Sequence, residues 1–314
     1  GVDHLGEYGL HDVEAIADAK LVVARAVEAG GRLALNADDP VLAGRRASGR
    51  ARLVWFSRRP DEEPVAALLD RHVGGGGEAV VAERGRLVRR RAGRRSPLLE
   101  IDRAPITLGG AAGYNVENAL AALALAPALG VPDPVAAGAL AGFRPTSDRL
   151  PGRSNLYRFG EATALVDFVH NPHGMDALAE TVTGLPARRR LVVLGQAGDR
   201  DDESIRALVR SAIRMRPDCV VVKELAGYLR GRKPGEIPRL IRDELARAAP
   251  GLEVVEAHDE LEAVRIALEW CADGDLLVLP VQSQREEIAG WLTRLGRSGW
   301  RPGRDLVPSP ERTS

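Results

Sequence analysis

The sequence predicts an α/β protein of two domains, each built on a largely parallel sheet. Three observations carry this. Apolar runs of strand length alternate with segments of helical period along most of the 314 residues. Two of those runs stop abruptly in polar, turn-forming residues: Val166-Asp167-Phe168-Val169-His170-Asn171-Pro172, and Leu191-Val192-Val193-Leu194 followed by Gly195-Gln196-Ala197-Gly198-Asp199-Arg200. Buried parallel strands end this way when they deliver functional groups at their carboxyl ends, here pointing to nucleotide chemistry. The length also suffices for two hydrophobic cores.

The elements follow in order. Residues 13–29 place Val13, Ile16, Ala17, Val22, Val23, Ala26 and Val27 at helical spacing, with Gly30-Gly31 as the stop. Arg32-Leu33-Ala34-Leu35 is a short strand leading into Asn36-Ala37-Asp38-Asp39-Pro40, a loop that enters a helix, and Leu53-Val54-Trp55-Phe56 is the next strand. The texture changes at 74–106, where runs at 79–82 and 86–88 are joined by a turn at Arg84-Gly85 and a third alternates at 98–101. Antiparallel hairpins attached to the parallel core are expected there. Their arginines (Arg84, Arg86, Arg89, Arg90, Arg91, Arg94 and Arg95) lack interleaved aromatics for base stacking and read as a solvated face.

Residues 115–129 form an alanine-rich helix entered through Gly109-Gly110-Ala111-Ala112-Gly113-Tyr114, and 134–140 a second. The stretch 145–151 reads as a linker. Beyond it, strands at 163–168, 190–194, 219–222, 253–255 and 276–280 alternate with helices at 176–182, 203–213, 237–248 and 261–270, a doubly wound arrangement. The tail after Trp300 reads as loose. Domains of 1–147 and 148–314 result.

Lysine plus arginine and aspartate plus glutamate each total 44, so no global field favours nucleic acid or a membrane surface. Cys219 and Cys271 read as buried structural thiols, with no disulfide framework or zinc spacing. No apolar run has the length of a membrane span and no signal peptide is visible, which makes the cytoplasm the expected compartment. Gly1-Val2-Asp3-His4 opens without methionine and reads as an artificial or proteolytic boundary.

Several polar groups could carry chemistry, each with a plainer alternative. His4 beside Asp3 reads equally as a capping pair, and Lys20 as a lysine laying its stem on apolar neighbours. Asn115 and Asn118 lie one turn apart on a helix face, where carboxamides suit a purine edge; helix capping by Asn115 is the other reading. Arg153, in Pro151-Gly152-Arg153, is placed to meet phosphate charge or is an ordinary linker arginine. Asp167 ends a strand where an acid commonly accepts from a ribose hydroxyl, and His170 and Asn171 follow in its loop. The carboxylates around Arg200 also suit a helix N-terminus.

Taken together in order and spacing, Asp3-His4-Leu5-Gly6, Ala19-Lys20, Asn36-Ala37-Asp38-Asp39-Pro40, Tyr114-Asn115-Val116-Glu117-Asn118, Pro151-Gly152-Arg153, the Asp167-to-Pro172 run and Gly198-Asp199-Arg200-Asp201 resemble the Mur ligase family over nearly the whole chain. Within it, residues 16–20, 198–203 and Leu229-Arg230-Gly231-Arg232 with Gly235-Glu236 are most similar to the cyanophycin-forming branch. The resemblance implies the later part of a P-loop-type central domain followed by a Rossmann-like C-terminal domain. It implies ATP and magnesium as cofactors, with a small-molecule or polymer carboxylate and a free amino acid as partners. It allows a homo-oligomer.

Residue by residue, the resemblance implies that His4 binds magnesium and that Lys20, a catalytic residue, matches the family's lysine that is often carbamylated and then serves the metal. Asn115 and Asn118 would hold adenine, Arg153 the phosphates and Asp167 the ribose, with His170 lining the nucleotide. Asp199, Arg200 and Arg230 would face the incoming amino acid. Tyr114 departs from the family's usual histidine. No Gly-x-x-x-x-Gly-Lys-Ser/Thr loop occurs in the sequence, so a truncated parent is the expectation and the isolated chain is expected to be inactive. The implied activity is amide-bond formation through an acyl phosphate, adding arginine to aspartate side chains. A muramoyl-peptide or polyglutamate ligase and a non-catalytic binding module are the alternatives.

Overall fold

Two sheets organise the chain, one in each of two units, Gly1–Arg144 and Pro145–Ser314. A computed structural model describes residues 9–45 and 51–306. His4 lies outside the described residues.

In the first unit Asp12 caps α1 (Val13–Leu21) by accepting from the Ala15 amide at 2.6 Å. The helix expected to run to residue 29 tightens at Val22–Ala26 into a 3-10 turn. The β-branched pair Val22-Val23 resists α-helical continuation and stands exposed. Strands β1 (Arg32–Asn36), β2 (Arg52–Ser57) and β3 (Glu78–Glu83) pair in parallel. Strands β4 (Arg86–Arg91) and β5 (Arg94–Glu100) continue the sheet antiparallel. Between β1 and β2 runs the short α2 (Pro40–Ala43), capped by Asp39. Helix α3 (Val65–Gly74), not evident in the sequence, covers one face with Val65 and Leu69. Helices α4 (Gly113–Leu125) and α5 (Asp133–Gly142) cover the other with Val116, Leu120, Leu123 and Ala136.

The arginine-rich hairpin keeps the expected solvated face at Arg84, Arg86, Arg91, Arg94 and Arg95, but Arg89 and Arg90 depart from it. β4 is internal to the sheet and its four central residues, Leu87, Val88, Arg89 and Arg90, are buried. Arg89 pairs with Glu78, grips both oxygens of Asp133 (2.9 and 2.7 Å) and donates to the Leu123 carbonyl. Arg90 holds Glu83. Burial alone would raise the Glu78 carboxyl, but hydrogen bonds from Arg91 and Arg32 and the charge of Arg89 outweigh it and hold it below the usual range.

In the second unit β6 (Asn155–Phe159) and β7 (Ala162–Asp167) form an antiparallel pair, of which only β7 is evident in the sequence. The remaining strands, β8 (Arg190–Leu194), β9 (Cys219–Lys223), β10 (Glu253–Ala257) and β11 (Leu276–Pro280), run parallel to β7 in the order β10-β9-β8-β11-β7-β6. Helices α6 (Pro172–Thr183), α7 (Asp202–Ile213) and α8 (Glu236–Ala248) pack in series. Helices α9 (Glu260–Trp270) and α10 (Arg285–Arg297), the latter also not foreseen, pack on the other face around Phe159, Val193, Val221 and Leu279.

Both cysteines are buried, as expected, and burial pushes each thiol up to about 12. The chain after Trp300 is not loose at first: the Trp300 indole donates to the Arg304 carbonyl at 3.1 Å, and Leu306 packs on the core. Among the described residues no helix is long and apolar enough to cross a membrane.

Candidate functional site

The sheet topology of the second unit places a crevice. β11 lies between β8 and β7, yet α10 leaves it toward one face while α6 and α7 leave its neighbours toward the other. Such a switch opens a crevice at the carboxyl ends of parallel strands. Asp167 ends β7 there, 8% exposed, and its Oδ2 accepts from the Ser154 amide (2.9 Å) and hydroxyl (3.3 Å). Ser154 adopts a left-handed backbone (φ 52°) to reach it. Asn155 ties the same turn by donating to the carbonyls of Pro145, Leu150 and Arg153 and accepting from the Gly152 amide. The turn presents Arg153, whose guanidinium stands 5.0 Å from the centre of the Phe168 ring.

His170 lies 5.1 Å, ring to ring, from Phe168, and its Nδ1 is 3.1 Å from the Phe168 carbonyl oxygen. Two glutamines fasten this loop: Gln196, beyond β8, donates to the His170 carbonyl (2.7 Å), and Gln282, beyond β11, to that of Val169 (2.8 Å). Asn171 caps α6 by accepting from the Gly174 amide. The structure therefore brings Arg153, Asp167 and His170 together.

Beneath Gln282 lies an ion pair invisible to sequence reasoning. Lys223, fully buried at the end of β9, donates to Glu260, to the Pro280 carbonyl and to Gln282 Oε1 (2.7 Å). Glu260 in turn accepts from the amides of Gln282, Ser283 and Gln284 and from the Ser283 hydroxyl, at 2.7–2.8 Å. Burial opposes both charges. For Glu260 the charge and hydrogen bond of Lys223 and the loop amides outweigh it and hold the carboxyl below its ordinary value. The 281–284 loop is thus built around a buried carboxylate.

The segment assigned to the amino acid is knitted together by Arg232, which the sequence reading placed only within a motif. Arg232 donates to the carbonyls of Gly198 (3.3 Å) and Arg200 (2.7 Å) and to the carboxylates of Asp202 and Glu236. Arg230 pairs with Asp199 at 3.4 Å. Gly198 has no room for a side chain: a Cβ there would lie 1.9 Å from the Leu229 carbonyl oxygen.

In the first unit, Asn36, Asp38 and Ser57 meet at the ends of β1 and β2. Asp38 accepts from the Ser57 hydroxyl (2.6 Å) and the Arg58 amide (2.7 Å), and Asn36 accepts from the Asp38 amide. Arg58 crosses Gly113 to within 3.4 Å of Glu117. Burial chiefly raises the Glu117 carboxyl, Arg58 opposing and Asp38 adding to it. A cleft of about 590 Å³ adjoins, lined by Arg58, Arg84, Asp102, Gly110 and Val116 among others.

Asn118 donates to Asn115 Oδ1 (3.1 Å), and Asn115 donates to the Ile106 carbonyl (3.0 Å). Asn115 lies inside α4 and does not cap it; Ala112 holds the N-cap position. Lys20 is exposed in the last turn of α1, where its charge suits the helix dipole. Among the described residues no cluster of three His, Cys, Asp or Glu could hold a metal.

Residues 152–280 match the family model for the Mur ligase, glutamate ligase domain. The chain carries a Mur ligase domain. Across 287 residues it is 34% identical to cyanophycin synthetase of Crocosphaera subtropica, covering 91% of this chain and 32% of that protein. To the UDP-N-acetylmuramoyl-L-alanyl-D-glutamate–2,6-diaminopimelate ligase of Brucella melitensis it is 33% identical over 186 residues, 58% of this chain and 36% of that protein. It therefore spans about a third of the length of these curated relatives.

Among solved structures, MurF from Acinetobacter baumannii superimposes with a TM-score of 0.61 at 19% identity, over 93% of this chain and 58% of that one. Mycobacterium tuberculosis folylpolyglutamate synthase complexed with ADP gives 0.53 at 20%, over 96% and 61%. These likenesses bear out the Mur ligase fold.

Proposed function

We propose that this Mur ligase chain handles nucleotide and amine in an ADP-forming ligase that adds arginine to aspartate side chains of a growing polymer. The observation that carries this reading is the extent of similarity. Likeness to cyanophycin synthetase runs through both units, over 91% of the chain, whereas likeness to the diaminopimelate ligase covers 58%. In such a ligase a carboxylate becomes an acyl phosphate, and an amine displaces phosphate to give amide and ADP.

In the second unit the reading assigns Asp167 to a ribose hydroxyl, which its buried carboxylate suits as an acceptor. It assigns Arg153 to phosphate, where a guanidinium stabilises concentrated negative charge, and His170 to the wall beside them. Asp199, Arg200 and Arg230 are assigned to the incoming amino acid. In the first unit Asn115 and Asn118 are assigned to adenine. His4 and a carbamylated Lys20 would hold magnesium, an oxygen-seeking ion that a carbamate suits. Uncarbamylated Lys20 is a cation and does not fit, so the metal depends on that modification.

The test supplies protein carrying this chain with ATP, magnesium and an aspartate polymer, adding arginine, diaminopimelate or glutamate in turn. ADP release and product mass are followed. Arginine-dependent growth is expected. Growth with diaminopimelate or glutamate alone would transfer the chain to the muramoyl-peptide or polyglutamate reading, and ADP release with none of the three refutes the ligase reading.

A further inference from the structure

Phe168 carries two guanidiniums, of which the sequence reading singled out one. Arg153 approaches the ring at 5.0 Å, and Arg285, at the start of α10, approaches it at 4.6 Å. Arg285 also lies along the Pro151-Gly152-Arg153 turn, since a Cβ on Gly152 would come within 3.2 Å of its Cδ. Among the described residues neither Arg153 nor Arg285 forms an ion pair, so no carboxylate offsets the two charges on this ring. Two like charges sharing one ring repel each other unless an anion stands beside both. Stacking on an aromatic face also leaves the N–H edge of a guanidinium free to fork onto phosphate oxygens.

The position of Arg285 is set from below. It follows directly on the loop whose amides at Gln282, Ser283 and Gln284 converge on Glu260, and Lys223 neutralises that carboxylate from inside the sheet. The side chain of Gln284 is fixed as well, its Oε1 accepting from the Leu261 amide at 3.2 Å. Gln282, held by Lys223, donates to the Val169 carbonyl of the loop that bears Phe168 and His170. One buried pair therefore registers both the arginine and the ring it stacks on.

We propose that Arg285 is a second phosphate-binding residue of this site, acting beside Arg153, and that Lys223 and Glu260 are its positioning residues. The proposal rests on the nucleotide reading above and adds the group that would share the phosphate charge. Titration calorimetry of the full chain with ADP and with adenosine tests it. Arg285→Ala should weaken ADP binding about tenfold, the scale of one charge-assisted hydrogen bond, and leave adenosine binding within about twofold. Arg285→Lys, which keeps the charge but not the fork, should recover part of the loss.

Glu260→Gln should weaken ADP binding as well, with no further loss when combined with Arg285→Ala, because both act through one group. If that variant fails to fold, Ser283→Ala, which removes one bond to Glu260, serves in the same cycle. Additive losses would overturn the positioning role. Unchanged ADP binding by Arg285→Ala, with Arg153→Ala losing it, would overturn the proposal and leave the nucleotide reading standing. Failure of the unaltered chain to bind either ligand would refute both.

Discussion

Replacing Lys223 by methionine removes one partner of a pair whose side chains are 0% and 1% exposed. Breaking such a pair strands a buried charge and costs about 3–5 kcal/mol. For a unit of this size each kcal/mol lowers the melting temperature by about 2–4 °C, so a fall of about 6–20 °C is expected. The pH dependence gives a sharper signature. With Lys223 present, the folded-state pKa of Glu260 lies below its unfolded value. The contribution of Glu260 is therefore present above the ordinary glutamate range of about 4.3 and is lost as pH falls through the folded value.

Without Lys223, burial, the largest single influence on Glu260, is opposed only by the loop amides and the Ser283 hydroxyl, and the folded value is expected to rise above the unfolded one. Stability is then lost as pH rises through it. Scanning calorimetry at pH 5 and pH 7.5 should show a larger deficit for Lys223→Met at the higher pH. An equal deficit at both values, or one below about 2 °C, would refute the argument, because the charge would then not govern the stability of this loop.

Three further outcomes follow from the packing. Arg89→Met should destabilise the first unit by about 3 kcal/mol in urea unfolding, since Glu78 and Asp133 lose a buried partner. Arg91→Ala on the same strand, with a half-exposed side chain, should change it by no more than about 1 kcal/mol. Gly198→Ala should cost about 1–3 kcal/mol and open the 195–202 segment to protease, because its Cβ collides with the Leu229 carbonyl and the loop has to move. Cys219 and Cys271 should resist iodoacetamide at pH 8 in the native protein and react in urea, since a thiol held at about 12 offers almost no thiolate.

The parallel strands were legible because burial on both faces writes them as unbroken apolar runs, as in Leu191-Val192-Val193-Leu194. Asp167 was singled out by its place at the end of such a run, and Arg153 by the Pro151-Gly152-Arg153 turn. Arg89 and Arg90 misled, because local sequence shows a charge run but not Glu78, Asp133 and Glu83 arriving from other elements. Lys223 was hidden in the same way, its partner lying 37 residues further on. Strand β6 escaped notice because Asn155-Leu156-Tyr157-Arg158-Phe159 is an edge strand of mixed polarity. Helix α10 alternates charge and apolar residues with an uncapped start, so only its packed face, with Ile288, Trp291, Leu292 and Leu295, marks it.

The placement of β11 has a consequence for the order of assembly. β7 and β8 do not pair with each other; each pairs with β11, which is made from Leu276–Pro280, far later in the chain. Until those residues emerge during synthesis, two apolar strand edges stay open in the middle of the sheet, where foreign strands can pair. Both halves of the crevice stay apart for the same interval. A chain interrupted before β11 would be prone to aggregate, and one interrupted just after it would still lack Gln282 and Arg285. The proposed site is thus complete only once the whole sheet is.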